Sequence, residues 1–440
     1  MITGFSKLSK NEKIDFISKN ILNNDLEVSN ILNNFCHRDE KTQRTLEEFS
    51  ENTISNFHFP YGVVPNFKIN GKTLMVPIVI EESSVVAALS KSAKFWSTRG
   101  GFHAQVVDTK KVGQVHFTWS GDTEKLNDYF KNRKAQFIKH AMQFTKSMEK
   151  RGGGLLDIVL KDFTHLESDY YQLFVTFETC DAMGANFINT VLEELGKFLE
   201  NDIATYELFE KSQREAQVIM CILSNLTPEC KVKAWVECSI NELNDKGHGI
   251  SNEEFASKFA RAIRIAKIDP YRATTHNKGI FNGVDGVVLA TGNDFRAVEA
   301  CGHAYASRNG SYQSLTDIYI DEKRGMFRFE IEFPLSLGTV GGLTSLHPLA
   351  KLSLNLLDNP SSKELMMITA AVGLAQNFAA IRSLVTNGIQ KGHMKMHLMN
   401  ILNQLEATNE EKEYVKSEYE NRVVSFNDVK NTLFSFRTHH

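Results

Sequence analysis

The sequence predicts an α+β protein. It has a large mixed α/β unit, a smaller β-α-β-β-α-β unit inserted into it, and a helical C-terminal segment. Three observations carry that expectation. Hydrophobic spacing switches between helical and alternating periods along the chain. Between about Val107 and Leu223 the order of those periods is the split βαβ order of a ferredoxin-like domain. Finally, the stretch from Ser362 to Thr386 is charge-free from Met366 through Ile381, which reads as a long central helix buried all round.

Bulk properties narrow the function. With 440 residues the chain is long enough for two or three domains. A hydrophobic content of 42% and a charged content of 23% are those of an ordinary globular protein. The net charge of −3 and the scattered basic residues argue against a nucleic-acid partner. No apolar run approaches the ~20 residues that span a bilayer, so no membrane partner is expected. The first residues, M-I-T-G-F-S-K-L-S-K, show neither a signal-peptide core nor a lipidation motif, and a cytoplasmic protein is expected. Cys36, Cys180, Cys221, Cys230, Cys238 and Cys301 form no C-x-x-C pair and read as reduced thiols, with no metal site expected. A P-loop, G-x-G-x-x-G, H-E-x-x-H and G-x-S-x-G are all missing from the sequence.

Taken in order, residues 1 to about 50 are helical. Ser9 or Asn11 can cap a helix bearing Ile14, Phe16, Ile17 and Ile21, and a second amphipathic turn lies around Val28, Ile31 and Leu32. A Gly/Pro-punctuated stretch then leads into an alternating hairpin, Phe67 and Ile69 followed by Leu74, Val76, Ile78 and Ile80. Glu81-Glu82-Ser83-Ser84 ends that strand and opens a helix to Trp96, with Ser83 or Ser84 as N-cap. Paired carboxylates there complement the helix dipole, and the same place can hold a tuned acid. The small unit follows as strand Gly113 to Trp119, helix 122–149, strands Leu155 to Leu160 and Tyr171 to Thr179, helix Gly184 to Leu199, and strand Val218 to Leu223. Within it Asp181-Ala-Met-Gly-Ala-Asn186 sits where strand turns into helix. Small residues there allow close backbone approach, and free N–H groups face an anion, although a plain βα turn has the same composition.

Glu229 to Lys267 is mixed, with a Lys246-Gly-His-Gly turn and a helix from Glu253 to Ala266. The span Asp269 to Asp294 then packs Arg272, His276, Asn277, Lys278, Asn282 and Asp294 together. Its second half, Gly286 to Leu289, reads as a buried strand, which Thr291-Gly-Asn-Asp294 would close before a helix over 295–308 capped by Asn293 or Asp294. A hairpin pairs Asp317–Tyr319 with Met326–Phe333. Gly338-Thr-Val-Gly-Gly342 permits positive φ and close approach to a ligand, or only a bend. Inside the apolar helix Gln376 and Asn377 need partners, either a ligand or a structural hydrogen bond. The remainder, with Gln390-Lys-Gly-His-Met394, reads as a charged, mobile helical appendage.

These blocks together resemble 3-hydroxy-3-methylglutaryl-CoA reductase in its shorter bacterial, class II form. They are Glu51-Asn52, Glu81 to Ala88, Asp181 to Asn186, Asp269 to Asp294, Gly338 to Gly342 and Gln390 to Met394, in the family's order and spacing. The resemblance implies a two-step, four-electron reduction of the thioester to mevalonate and CoA with two NAD(P)H. Lys278 would stabilise the oxyanion, His393 on a flap would protonate the CoA thiolate, and Glu82 would donate the second proton. Asp294 would bridge Lys278 and Glu82. Ser84, Arg272 and Asn282 match positions that hold the substrate's hydroxyl and carboxylate or support the lysine, and Gln376 is expected to contact the substrate as well. Asp181, Met183, Gly184 and Asn186, with Gly341 and Gly342, match the cofactor site. The expected division is a CoA-ester domain over 1–108 and 217–387, a small cofactor domain over 109–216 and the flap over 388–440. A homodimer with sites at its interface is implied.

Two departures matter. Ser83 stands where the family has proline. Near Thr145, where the NAD-preferring pattern has an acid, Lys146, Lys150 and Arg151 gather instead. That charge favours a 2′-phosphate, so NADPH is expected, with NADH possible. The same residues would serve the reverse, NAD-dependent oxidation of mevalonate. A non-catalytic CoA-ester-binding protein would have lost Lys278, Glu82, Asp294 or His393, and all four are present.

Overall fold

In the computed structural model the chain is described over residues 2–22, 27–243, 250–386, 398–419, 422 and 424–439. An N-terminal arm holds α1 (Lys10–Asn20), α2 (Glu27–Asn34) and α3 (Glu40–Glu47). Ser9 caps α1 in a reciprocal box with Glu12, and a Lys10–Glu47 ion pair of 2.6 Å ties the first helix to the third. Next, β1 (Tyr61–Ile69) and β2 (Lys72–Val79) pair antiparallel. Asn70 and Gly71, both at positive φ, make the tight turn between them. α4 (Ser83–Ser97) and the short β3 (His103–Val106) follow.

The small unit comprises β4 (Lys111–Trp119), α5 (Thr123–Glu149), β5 (Gly154–Asp162), β6 (Tyr170–Glu178), α6 (Ala185–Thr205) and β7 (Ala216–Leu223). Its sheet runs β5-β6-β4-β7, every pair antiparallel. Because β7 pairs with β4, the sheet reaches Leu223, past the expected limit at residue 216. Val115, Phe117, Leu173, Val175 and Phe177 alternate inward against Phe137 of α5 and Leu192 and Leu195 of α6. A Cβ on Gly113 would lie 2.5 Å from Leu192, so the glycine lets α6 settle on the sheet.

The chain then returns to the large unit through β8 (Lys231–Ser239), α7 (Asn252–Ile268), α8 (Pro270–Ala290), α9 (Phe295–Ala306), β9 (Thr316–Asp321) and β10 (Met326–Pro334). Short α10 (Leu343–Leu346), α11 (Pro348–Leu356) and long α12 (Ser362–Val385) complete it. A second four-stranded sheet runs β3-β8-β10-β9. The expected helices, the hairpin β9–β10 and the small unit's order are all present. β8, with Val232, Ala234, Val236 and Cys238 turned inward, lies inside the stretch read as mixed. α12 is buried all round, as expected, and its Phe378 packs edge-on against Trp96, stacked on Phe95 and tilted against Phe259 at 5.0, 5.3 and 5.5 Å. By length and composition α12 could cross a membrane, but 78% of its most apolar window is buried inside the protein.

One expected element is corrected. Gly286 to Leu289 is not a strand: it forms the last turns of α8. Asp269 caps that helix through the Tyr271 N–H, Pro270 occupies N1, and Ala273, Ile280, Phe281, Val284, Val287 and Val288 face the core at helical spacing. Its glycines let neighbours in rather than break it. A Cβ on Gly283 would lie 2.9 Å from the Val372 carbonyl of α12, and one on Gly286 would lie 2.7 Å from Ile78.

At the C-terminus, helices Asn409–Glu418 and Phe426–His439 share a core of their own with Leu398, Ile401 and Leu402. Arg437 clamps Glu411 there at 2.7 and 3.0 Å. His393 and the Lys246-Gly-His-Gly turn lie outside the described residues.

Candidate active site

Two groups of residues come together, one beside the middle of α8 and the other beyond its C-terminal end. The first lies where β2 hands over to α4. Glu82 holds the N-cap position with extended backbone, φ −83° and ψ 111°, yet its carboxylate takes no N–H from its own helix. The cap expected from a serine is therefore not what opens α4. The Glu82 carboxylate accepts instead from the Ser84 hydroxyl at 2.6 Å and from the Lys278 ammonium at 3.3 Å. The side chains of Lys278 and Glu82 are 63% and 36% exposed, so the pair adds little to stability and stays open to a ligand.

Helical periodicity sorts the polar residues of α8. His276 and Asn277 point inward. The His276 ring meets Thr316 and Ser314 hydroxyls at 2.6 and 2.9 Å, and burial, helped by Arg272 and Lys267, pushes its pKa down to about 3. The Asn277 amide donates to the Gln313 carbonyl and accepts from the Leu315 N–H. Both are structural. Lys278 and Asn282, one turn apart, lie on the open face. Arg272 is half-buried, which holds its guanidinium below the ordinary value against the pull of Asp269. Arg272 and Asn282 side chains have no hydrogen-bond partner among the described residues.

On α12, Asn377 is satisfied by the His276 carbonyl at 3.0 Å and the Thr316 hydroxyl at 3.4 Å. Its neighbour Gln376 is 5% exposed, and its Oε1 has no partner. The site of Gly283 lies against it, since a Cβ there would be 3.0 Å from the Gln376 Cβ. An orphaned buried acceptor beside Gly283 is the feature a ligand's donor would satisfy.

The second group surrounds the start of α6. Gly184 is its N-cap at φ +89°, and no side chain caps it. A Cβ there would be 2.4 Å from Thr179 Cγ2, so only glycine fits, and the first N–H groups of α6 stay available. The turn is stitched to the large unit. Asp181 accepts from the Ser362 N–H at 2.7 Å through its carboxylate and from the Thr339 N–H at 2.8 Å through its carbonyl. Ala182 bridges to Val340, and a Cβ on Gly338 would be 2.6 Å from Met183 N. Gly341 and Gly342 follow at φ +82° and +57° with open space around them. Asn293 brackets Gly338 from the other side at 2.8 and 3.0 Å. Asp181, Met183, Gly184, Gly341 and Gly342 therefore sit in one neighbourhood, and Asn186 lies in the first turn of α6. The Cys180 thiol donates to the Arg151 carbonyl at 3.2 Å, which sets the loop after α5 alongside. Lys146, Lys150 and Arg151 are exposed there, and the Glu149 carboxylate accepts from the Thr145 hydroxyl.

Asp294 belongs to this second group. It caps α9 through the Arg296 and Ala297 N–H groups at 3.0 and 3.3 Å and accepts a two-pronged Arg296 guanidinium at 3.0 Å. Burial opposes ionisation, but those bonds win and hold the carboxyl below its usual range. With Lys111, Met183, Ala185, Asn225 and Ser336 it lines one cleft. The expected bridge to Lys278 and Glu82 is not made within the chain. From Lys278 to Ala290 α8 rises by twelve residue steps, about 18 Å at ~1.5 Å per residue.

Sequence reasoning passed over Lys111. The signal was there: a lone cation on the same strand face as Gly113, Val115 and Phe117, all of which turn into the core.

Residues 9–398 match the family described as hydroxymethylglutaryl-coenzyme A reductase. A 3-hydroxy-3-methylglutaryl-coenzyme A reductase of Archaeoglobus fulgidus is 35% identical over 93% of this chain and 88% of its own length. A probable enzyme of that name from Borreliella burgdorferi is 33% identical over 99% and 95%. Among solved structures, the class II reductase of Streptococcus pneumoniae bound to NADPH in open conformations is similar at a TM-score of 0.72 and 37% identity, over 87% of this chain and 99% of that one. Another structure of the S. pneumoniae reductase reaches a TM-score of 0.73 at 34% identity over 99% of both chains.

Proposed function

Because the chain belongs to the hydroxymethylglutaryl-coenzyme A reductase family, it is a reductase of 3-hydroxy-3-methylglutaryl-CoA, and we propose that its active site is assembled from two copies of the chain. The reaction delivers two hydrides, takes up two protons, expels CoA thiolate and yields mevalonate. NADPH supplies both hydrides.

One chain brings the substrate half. The Lys278 ammonium stabilises the negative charge that develops on the thioester oxygen and then on the aldehyde oxygen. Glu82, held by Ser84, gives the proton that completes the alcohol. Arg272, whose fork suits a carboxylate, binds the free acid end of the substrate, and Asn282 and Gln376 offer amides to its polar groups. His393 is assigned protonation of the departing thiolate, since its ordinary pKa of ~6.5 lies below the ~8.5 of a thiol. It belongs to a flap over 388–440.

The partner brings the other half. The observation behind the two-chain reading is that Asp294 lies at the far end of α8 from Lys278, in the cleft beside the α6 turn. The partner's Asp294 then meets Lys278 and Glu82 and keeps their protonation states apart. In this reading the unit from about residue 109 to Leu223 is a ferredoxin-like cofactor domain. Asp181 ties its turn to the start of α12 through the Ser362 N–H. Met183, Gly184, Asn186, Gly341 and Gly342 approach the dinucleotide, while Lys146, Lys150 and Arg151 favour a 2′-phosphate. The large domain is 1–108 with the chain from Ser224 to residue 387.

Absorbance at 340 nm with purified protein and the CoA ester tests this. Two NADPH are expected to disappear per CoA released, faster than with NADH. Tight binding of the ester without turnover would refute the enzymatic assignment, and a clear preference for NADH would remove the role of the basic loop.

A further inference from the structure

The turn that opens α6 is held from beneath by one buried charge. Lys111 begins β4, and its side chain is only 4% exposed. Its ammonium donates to the Thr179 hydroxyl at 2.6 Å, the Ala182 carbonyl at 2.9 Å and the Met183 carbonyl at 3.1 Å. All three N–H groups are thus spent on one five-residue turn. No carboxylate is hydrogen-bonded to Lys111 among the described residues. The acidic side chain that acts on it, Glu178, is already engaged by the Thr109 hydroxyl and the Cys180 N–H. Burial pulls the lysine below its ordinary pKa.

An ammonium in such a place is costly. Carbonyl dipoles offset only part of its lost hydration, and an apolar side chain of the same length would fill the volume without that penalty. The charge is therefore kept for something other than packing. What lies above it narrows the choice. The uncapped N-terminus of α6 adds positive potential to the same cleft, and the carboxylate that lines it, Asp294, is already neutralised by Arg296. The one carboxylate lining the cleft is thus paired, and Asp181, within the turn, accepts from the Ser362 N–H and is not part of the lining.

We propose that Lys111 is the positioning residue of the dinucleotide site: its ammonium fixes the Thr179–Gly184 turn in the shape that presents the α6 N–H groups, and the cofactor's diphosphate is the counter-charge the cleft lacks. The proposal rests on the reading of this turn as the cofactor site.

Three variants separate the possibilities. Lys111→Met keeps length and removes charge, Lys111→Arg keeps charge, and Ala185→Asp places a carboxylate at the start of α6 without touching Lys111. NADPH affinity is read by fluorescence titration at low and high salt, alongside steady-state kinetics and thermal melts. For Lys111→Met the NADPH Kd and KM are expected to rise about tenfold, with a flatter salt dependence and the KM for the CoA ester unchanged within about twofold. Lys111→Arg is expected to recover much of the affinity. A general loss of structure would raise both KM values and lower the melting temperature, and would not respond to restored charge.

If Lys111→Met melts like the parent and binds NADPH as tightly, while Ala185→Asp binds poorly, the proposal is overturned and the cofactor site stands. Unchanged binding in both variants would overturn the site and the proposal together. Should Lys111→Met fail to fold, Thr179→Val removes one acceptor in place. A rise of about threefold in NADPH Kd is then expected, and no rise overturns the proposal.

Discussion

At the scale of single residues, adjacent polar positions have opposite fates. His276 and Lys278 are two apart in sequence, and a helix of 3.6 residues per turn points one into the core and the other out. The residue types were legible from sequence, but which of them would be satisfied by protein was not, because the partners Thr316, Ser314, Gln313 and Leu315 come from nearly forty residues away. The buried ring carries a pH consequence. His276 titrates near 3 when folded and near ~6.5 when unfolded, so the unfolded chain binds the extra proton between those values. Its stabilising contribution is complete above ~6.5 and falls by about 1.4 kcal/mol per unit as pH drops toward the folded value. Urea titrations of His276→Gln are expected to show lower stability at neutral pH and a shallower decline toward pH ~5. Equal slopes for parent and variant would contradict the assignment. Lys278→Met is expected to lower kcat by about 10²–10³-fold with little change in melting temperature, because its ion pair is exposed. Ser83, at the first position of α4, stands where proline suits the missing N–H, and Ser83→Pro is expected to raise stability by about 0.5 kcal/mol in thermal melts without loss of activity.

At the scale of elements, legibility follows periodicity. α5, α6 and the four strands of the small unit were readable because each keeps one period over its length and turn residues separate them. The end of α8 was not. Val287-Val288-Leu289 has the composition of a buried strand, and only the neighbours decide otherwise: Ile78 against Gly286 and the backbone of α12 against Gly283. β8 escaped notice for the opposite reason, since Lys231, Lys233 and Glu237 interrupt a run whose alternation is nonetheless regular. The α8–α12 contact also sets the spacing of the proposed substrate residues, because Lys278 and Asn282 ride on one helix and Gln376 on the other. Gly283→Ala places a methyl 2.9 Å from the Val372 carbonyl and must push the helices apart. A loss of about 1–3 kcal/mol in urea unfolding is expected, with kcat falling more steeply than stability explains. Gly310→Ala, at a turn with nothing within 4 Å, separates backbone strain from this crowding and is expected to leave kcat intact.

At the scale of the whole molecule, α8 acts as a spacer. It carries Lys278 in its middle and ends at Ala290 about 18 Å further along its axis, and Asp294 follows in the cleft beside the start of α6. A rigid helix cannot fold back to join the two, and closing that distance inside one chain would mean unwinding a core element that α12 and Ile78 grip on two sides. In the proposed two-chain site a second copy related by twofold symmetry would solve the problem twice, since each chain's Lys278 and Glu82 would meet the partner's Asp294. The consequence can be counted. Lys278→Ala and Asp294→Ala are each expected to be nearly inactive alone. When their chains are mixed through unfolding and refolding, or co-expressed, about half of the dimers are hybrids by random pairing. In a hybrid, one site lacks both groups and the other has both intact, so the mixture should recover about one quarter of the parent activity per chain. If both groups came from one chain, every site in the hybrid would carry one defect, and mixing would recover nothing. Recovery that rises with the hybrid fraction, measured by tagging one chain and isolating mixed dimers, would place the active site across the interface.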